Sequence, residues 1–178
     1  MKKAVRNYGS IFMIAALIVA LDQWTKWLVR TNIAAGQSWL PDSLQWLSPY
    51  ARIVHWSNRG AAFGMFQQGS MVFTVLAFIV IAAILYYYPQ VSQADWPLRL
   101  AMSMQLGGAI GNLIDRLTMG YVTDFISIGT FPVFNVADSS ISVGCVVLIL
   151  GVWWQERAAK REKMQAASQD QPGEAASE

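Results

Sequence analysis

Charge is what this 178-residue chain has least of: 13% of its residues are Asp, Glu, Lys or Arg, about half the usual share. What charge there is crowds to the ends. Lys2, Lys3 and Arg6 sit in the first six residues and nine more charges lie from Gln155 onward, leaving twelve, six of each sign, between Asn7 and Trp154. A soluble globule needs more charged surface than that. A nucleic-acid binder needs a basic face or stripe, not a net +2 gathered at the termini. One cysteine, Cys145, excludes a disulfide framework and a thiolate metal cluster, and one histidine, His55, argues against a His-based zinc site. No G-x-x-x-x-G-K-[ST] or G-x-G-x-x-G stretch exists to cradle phosphates. What abounds is apolar: 54% of the residues belong to the set AVILMFWYC. The composition specifies a membrane protein of one domain, residues 1–178.

The expected fold is an all-α membrane protein with four transmembrane helices and a small β-rich segment facing outward. The clearest span, 70–88, holds 18 consecutive uncharged residues from Met71 to Tyr88, about 27 Å of helix at about 1.5 Å per residue. Tyr86, Tyr87 and Tyr88 form an aromatic belt at one end and Pro89 ends the helix. The first span, 9–28, is wholly apolar over 11–21 and then turns polar at Asp22. Its apolar run also fits the core of a cleaved signal peptide, but no A-x-A site follows and further spans lie behind it. In the third span, 97–115, Gly107, Gly108 and Gly111 share a helix face, which reads as close helix packing. The fourth, 136–154, places Asp138 in its first turn. Eight Lys and Arg residues flank one side (Lys2, Lys3, Arg6, Arg99, Arg157, Lys160, Arg161, Lys163) and four the other (Arg30, Arg52, Arg59, Arg116). That bias puts both termini in the cytoplasm. The outward segment, 30–69, favours strand over 50–57, and its Trp39, Trp46 and Trp56 suit a small sheet lying on the membrane surface. The tail, 155–178, is polar and reads as a fraying helix.

Ionisable groups cost about 2.5–3.5 kcal/mol each near the middle of a membrane helix and less toward its ends. Here Asp22, Lys26, Asp115, Arg116, Asp124 and Asp138 all fall at the outer ends of spans one, three and four. Asp22 and Lys26, at i and i+4, suit an ion pair that closes the bundle, and Asn112 and Arg116 share that spacing. Asp124, in an extended apolar stretch, and Asp138, behind the helix N-cap Asn135, are harder to explain structurally. Two acids brought together resist double ionisation and share a proton, the arrangement that activates water in aspartic proteases. A Ser/Lys nucleophile pairing Lys26 with Ser139 or Ser140 is possible in composition, but nothing in the sequence demands it. A proton relay would need polar groups through the membrane thickness, whereas span two is uncharged and 11–21 is apolar. A purely structural subunit would tolerate neutralising either acid. His55 reads as a surface histidine and Cys145 as a small buried apolar residue.

Four patches, in order, resemble the lipoprotein signal peptidases, or signal peptidase II, of the bacterial inner membrane. They are Asp22-Gln-Trp-Thr-Lys26; Asn58-Arg-Gly-Ala-Ala-Phe-Gly64; Gly107-Gly-Ala-Ile-Gly-Asn-Leu-Ile-Asp-Arg116 with Val122-Thr-Asp-Phe125; and Phe134-Asn-Val-Ala-Asp138. The resemblance implies an aspartyl endopeptidase that cuts prolipoprotein signal peptides just before a diacylglyceryl-modified cysteine. It places the catalytic acids on Asp124 and Asp138, with supporting roles for Asp22, Lys26, Asn58, Gly60, Asn112, Arg116, Asn135 and Ala137. Asp115 becomes a structural partner of an arginine. No metal or cofactor is implied. The implied partners are prolipoproteins, membrane lipids and cyclic peptide inhibitors such as globomycin, with the enzyme a monomer and its active site at the outer face. On this reading Asn112, Arg116 and Asn135 hold the substrate backbone, and Trp46, Trp56 and Phe63 clamp it, with Phe63 and Gly64 hinging a lid.

Overall fold

The computed structural model describes residues 2–60 and 69–169. Four long helices carry a three-stranded sheet: α1 (Lys2–Asn32), β1 (Ser38–Trp39), β2 (Ala51–Asn58), α2 (Ser70–Tyr87), α3 (Trp96–Met119), β3 (Val122–Ile128) and α4 (Val136–Gln169). The stops and starts follow local chemistry. A 3₁₀ turn containing Pro89 closes α2, a proline opens α3, and Gly120 ends it in a left-handed conformation (φ 78°) that returns its N–H to Arg116 O. The expected lid residues Phe63 and Gly64 lie outside the described residues.

Among the described residues, three helical stretches are long and apolar enough to cross a membrane: Tyr8–Asn32, Ser70–Gln90 and Val136–Arg157. The helix missing from that set is α3, whose sequence is diluted by glycines and by Asn112, Asp115 and Arg116. It is the hub on which α1, α2 and α4 pack, so its polar residues are sheltered by its neighbours. The glycines make that packing close. A Cβ on Gly107 would stand 2.8 Å from Ile18 Cβ, one on Gly108 2.5 Å from Ala137 O, and one on Gly111 2.6 Å from Asp22 Oδ2. By contrast α2 buries Ile84 and leans mainly on α3.

The molecule is turned inside out relative to a soluble protein. Phe12, Leu17, Phe78, Val146 and Ile149 are exposed on the helix surfaces, while Asp22, Lys26, Asn112, Asp115, Asp124 and Asn135 are buried. Such a surface suits a hydrocarbon solvent, and such an interior demands that every buried polar group find a partner. Two apolar clusters bracket the polar layer. Ile11, Ala15, Ile84, Tyr88 and Leu106 fill one end of the bundle, and Val29, Ile33 and Phe125 the other.

The sheet is antiparallel in the order β1-β2-β3. Its third strand comes from beyond the outward segment read from sequence and ties that segment to the end of α3. Register slips between Ile53 and Trp56, and His55 occupies the irregularity. Contrary to the expectation of a surface histidine, His55 is buried: its Nδ1 lies 2.7 Å from Ile33 O, and its backbone pairs with Gln37 and Gly36. Cys145 also departs from expectation. It is exposed on the outside of α4, where a lipid-facing surface accepts a small apolar residue as readily as a core does.

Candidate active site

Asp124 and Asp138 arrive from different elements. Asp124 lies mid-strand in β3, paired in register with Trp56 of β2. Asp138 lies in the first turn of α4. Phe134 joins the two: its carbonyl accepts from the N–H groups of Phe125 and Ile126, and its own N–H returns to Ile126 O. Both acids line one cavity of about 660 Å³, together with Asn58, Gly60, Asn112, Arg116 and Ser139. Phe73, Phe131 and Phe134 supply its aromatic wall; Trp46 and Trp56 are not among its lining residues.

Three carboxamides hold the acids. Asn58 Nδ2 donates to Asp124 Oδ2 at 2.9 Å, while Asn58 Oδ1 accepts the Gly60 N–H at 2.9 Å, which fixes which way the amide faces. Asn135 Nδ2 donates to Asp124 Oδ1 at 2.7 Å. Asn112 Nδ2 donates to Asp138 Oδ1 at 2.7 Å. At the start of α4, Asn135 Oδ1 accepts the Asp138 N–H at 2.9 Å and Asp138 Oδ2 accepts the Asn135 N–H at 3.2 Å, a reciprocal capping box that sets the Asp138 rotamer. The Asn135 side chain is fully buried and its donors are spent within the protein. The role expected for it in holding substrate therefore falls away, because a committed donor in a closed site has nothing left to offer. Arg116 is differently placed. Its guanidinium lines the cavity, lies 5.5 Å from the Phe73 ring centroid, and makes no hydrogen bond among the described residues.

Burial, and then the neighbouring Asp138 charge, push the Asp124 carboxyl up to about 7. One member of the pair thus holds a proton near neutrality. Two carboxyl groups facing one cavity, with a proton retained on one of them, can act as general acid and general base on the same bond.

Beneath the acids lies a sealed charge cluster. Lys26 Nζ stands 2.8 Å from Asp22 Oδ2 and 3.2 Å from Asp115 Oδ2, with all three side chains fully buried. Arg30 reaches Asp115 at 3.4 Å. Asp22 Oδ1 accepts the Ala137 N–H at 2.9 Å, which gives the buried Ala137 its place in the site. Gln23, which the sequence reading did not single out, sits between these acids: its Nε2 lies 3.2 Å from Asp22 Oδ2, 3.1 Å from Asp115 Oδ1 and 3.0 Å from Gly111 O. Its position beside Asp22 in the first patch was the available signal. Among the described residues, no three of His, Cys, Asp and Glu gather in a way that would hold a metal ion.

Comparison with known proteins agrees across sequence and structure. The family model for signal peptidase (SPase) II matches residues 14–154. The lipoprotein signal peptidase of Halalkalibacterium halodurans is 40% identical over 157 residues, covering 85% of this chain and 97% of that protein. That of Moorella thermoacetica is 41% identical over 140 residues, covering 76% and 87%. A solved bacterial membrane enzyme, determined by the in meso method, superposes with a TM-score of 0.75 at 30% identity, covering 83% of this chain and 90% of its own. The chain belongs to the signal peptidase II family, and is a peptidase with several apolar helices of a multi-pass membrane protein.

Proposed function

We propose that this protein is an aspartyl endopeptidase that removes signal peptides from diacylglyceryl-modified prolipoproteins, cutting just before the lipidated cysteine, with Asp124 and Asp138 as its catalytic acids. The observation that carries this reading is the shared cavity: two carboxyl groups from separate elements face one space, each held by carboxamide donors. Asp138 takes a proton from water as it attacks the scissile carbonyl. Asp124 gives its proton to the carbonyl oxygen. Collapse of the tetrahedral intermediate then passes the Asp138 proton to the leaving amine while Asp124 takes one back from the intermediate's hydroxyl, which restores one shared proton.

The membrane setting suits this chemistry. Carbonyls inside a substrate helix are already hydrogen-bonded and shielded, so the bond to be cut must leave the helix at the bilayer rim. In our reading α3 is a fourth span despite its polarity, both termini are cytoplasmic, and the cavity opens at the outer face of the bacterial inner membrane. Arg116 is the donor best placed to hold an extended substrate backbone. The enzyme acts as a monomer without metal or cofactor, and cyclic peptides such as globomycin occupy the same cavity.

The deciding experiment is cleavage of a tagged, diacylglyceryl-modified prolipoprotein by the purified protein in detergent. Asp124→Asn and Asp138→Asn should each leave the precursor intact while thermal unfolding shows a folded protein, and globomycin should stop the parent enzyme. Normal cleavage by either variant rejects the acid pair.

A further inference from the structure

Asp22 and Asp115 are not simply counter-ions. Asp22 accepts the backbone N–H of Ala137, the residue immediately before Asp138. Asp115 accepts the backbone N–H of Thr123 at 3.0 Å, the residue immediately before Asp124. Each buried carboxylate thus grips the chain one residue ahead of a cavity acid, one on α4 and the other on β3. Arg30 reinforces the second grip through Thr123 Oγ1 at 3.2 Å.

One ammonium group links both grips. Lys26 has three N–H bonds, and the structure places one acceptor for each: Asp22 Oδ2 at 2.8 Å, Asp115 Oδ2 at 3.2 Å and Asn112 Oδ1 at 3.0 Å. The third contact, together with Asn135 Nδ2, which also donates to Asn112 Oδ1 at 3.1 Å, sets the orientation of Asn112. A lysine can only donate, so Asn112 must turn its oxygen to Lys26 and its Nδ2 to Asp138. The side chain of Lys26 is fully buried and does not line the cavity. It has no surface to offer a substrate.

We propose that Lys26 is a positioning residue for the acid pair: it clamps the two carboxylates that hold the chain ahead of Asp138 and Asp124, and with Asn135 it aims the Asn112 amide at Asp138. The need for such a clamp follows from topology. The acids sit on a strand and a helix joined across one isolated bridge, Ile126 to Phe134, so no regular ladder sets their separation. A displacement of about 1 Å in such a site costs about 100-fold in rate. This proposal rests on the two-aspartate reading given above.

The test measures kcat and KM for the purified full chain with the prolipoprotein substrate. Lys26→Met should lower kcat about 100-fold and leave KM within about twofold, because the geometry of attack is lost and the cavity wall is not. Lys26→Met alone leaves the buried Asp22 carboxylate without a cation and is at risk of misfolding. The double variant Lys26→Met/Asp22→Asn removes that imbalance: Asp115 keeps Arg30, and the new asparagine oxygen still accepts the Ala137 N–H. It should unfold near the parent temperature yet keep the low kcat, since the ammonium that ties Asp22, Asp115 and Asn112 together is gone. A double variant with parental kcat, or a loss appearing in KM instead of kcat, overturns the positioning role. Asp124→Asn and Asp138→Asn run in the same assay separate the two ideas. If both are inactive while the Lys26 variants cleave normally, only the positioning role falls; if either cleaves normally, the two-aspartate reading falls.

Discussion

Asn135 Nδ2 stands 2.7 Å from Asp124 Oδ1, bridging the start of α4 to β3. The same residue caps α4 and exchanges hydrogen bonds with Asp138, so one side chain serves both the helix and the acids. These duties separate by mutation. Asn135→Ala should lose about 1–2 kcal/mol with the cap and nearly all cleavage. Asn135→Ser keeps a capping hydroxyl but cannot reach Asp124, so thermal unfolding should recover while turnover does not. Recovery of both would show that the bridge to Asp124 is dispensable.

On the proposed mechanism, the proton on Asp124 makes activity depend on pH. With its carboxyl near 7, Asp124 supplies a proton below that pH and has none to give above it. A profile of kcat/KM should therefore fall on the alkaline side from about pH 7. Stability moves in the same sense. Unfolding returns the carboxyl to its ordinary range near 3.8, so the native chain binds the proton more tightly than the unfolded chain. This contribution is full below pH 4 and is lost as pH rises through 7, a change on the order of 4 kcal/mol. Melting temperatures taken from pH 5 to 8 should fall less steeply for Asp124→Asn than for the parent.

Close contact at Gly108 predicts an intolerant position. A methyl there would meet Ala137 O, a backbone atom, at 2.5 Å and Ile141 Cγ1 at 2.6 Å, so α3 and α4 would have to part. Gly108→Ala should lower the melting temperature by several degrees and reduce cleavage, because Ala137 adjoins Asp138. Gly9→Ala is the control: nothing lies within 4 Å of its added Cβ, and alanine in a helix gains about 1 kcal/mol over glycine. Equal effects at both sites would discount the packing role of Gly108.

Removing Asp22 should cost stability before it costs all activity. Asp22→Ala strips Lys26 of its 2.8 Å partner and Ala137 N–H of its acceptor, and breaking a buried pair costs about 3–5 kcal/mol. Asp115 remains at 3.2 Å to hold the Lys26 ammonium. Thermal unfolding should therefore drop sharply while residual cleavage persists at low temperature. An Asp22→Ala protein with parental stability would mean that the pairing carries no load.

How much of this could be read from residues alone depended on range. The Asp22–Lys26 pair is one helical turn long and was visible in spacing, as was the place of Asp138 in the first turn of α4 behind an asparagine cap. The polar residues also fell at the same span ends, which is why they meet. Contacts between helices were invisible. Gln23 reaches Gly111 and Asp115, and Asp115 reaches the Thr123 N–H, and no periodicity encodes which face of α1 meets which face of α3. His55 and Cys145 depart from expectation for different reasons. His55 is buried on a carbonyl at a register slip that no spacing announces, whereas on a helix facing lipid exposure no longer tracks polarity, so Cys145 faces outward. Asn135 was read as a hand extended to substrate, because sequence shows that an amide is present and not that its hydrogens are already taken.

The groups cradling Asp124 and Asp138 are carboxamides from Asn58, Asn112 and Asn135. Amides neither gain nor lose protons across the range in which enzymes work, unlike the histidines and carboxylates that frame many hydrolytic centres. The cradle therefore keeps one shape and one polarity from mildly acidic to mildly basic solution, and only its contents titrate. On the mechanism proposed above, a swing in acidity would act on the reaction through the carboxyl groups without reshaping the amides that hold them.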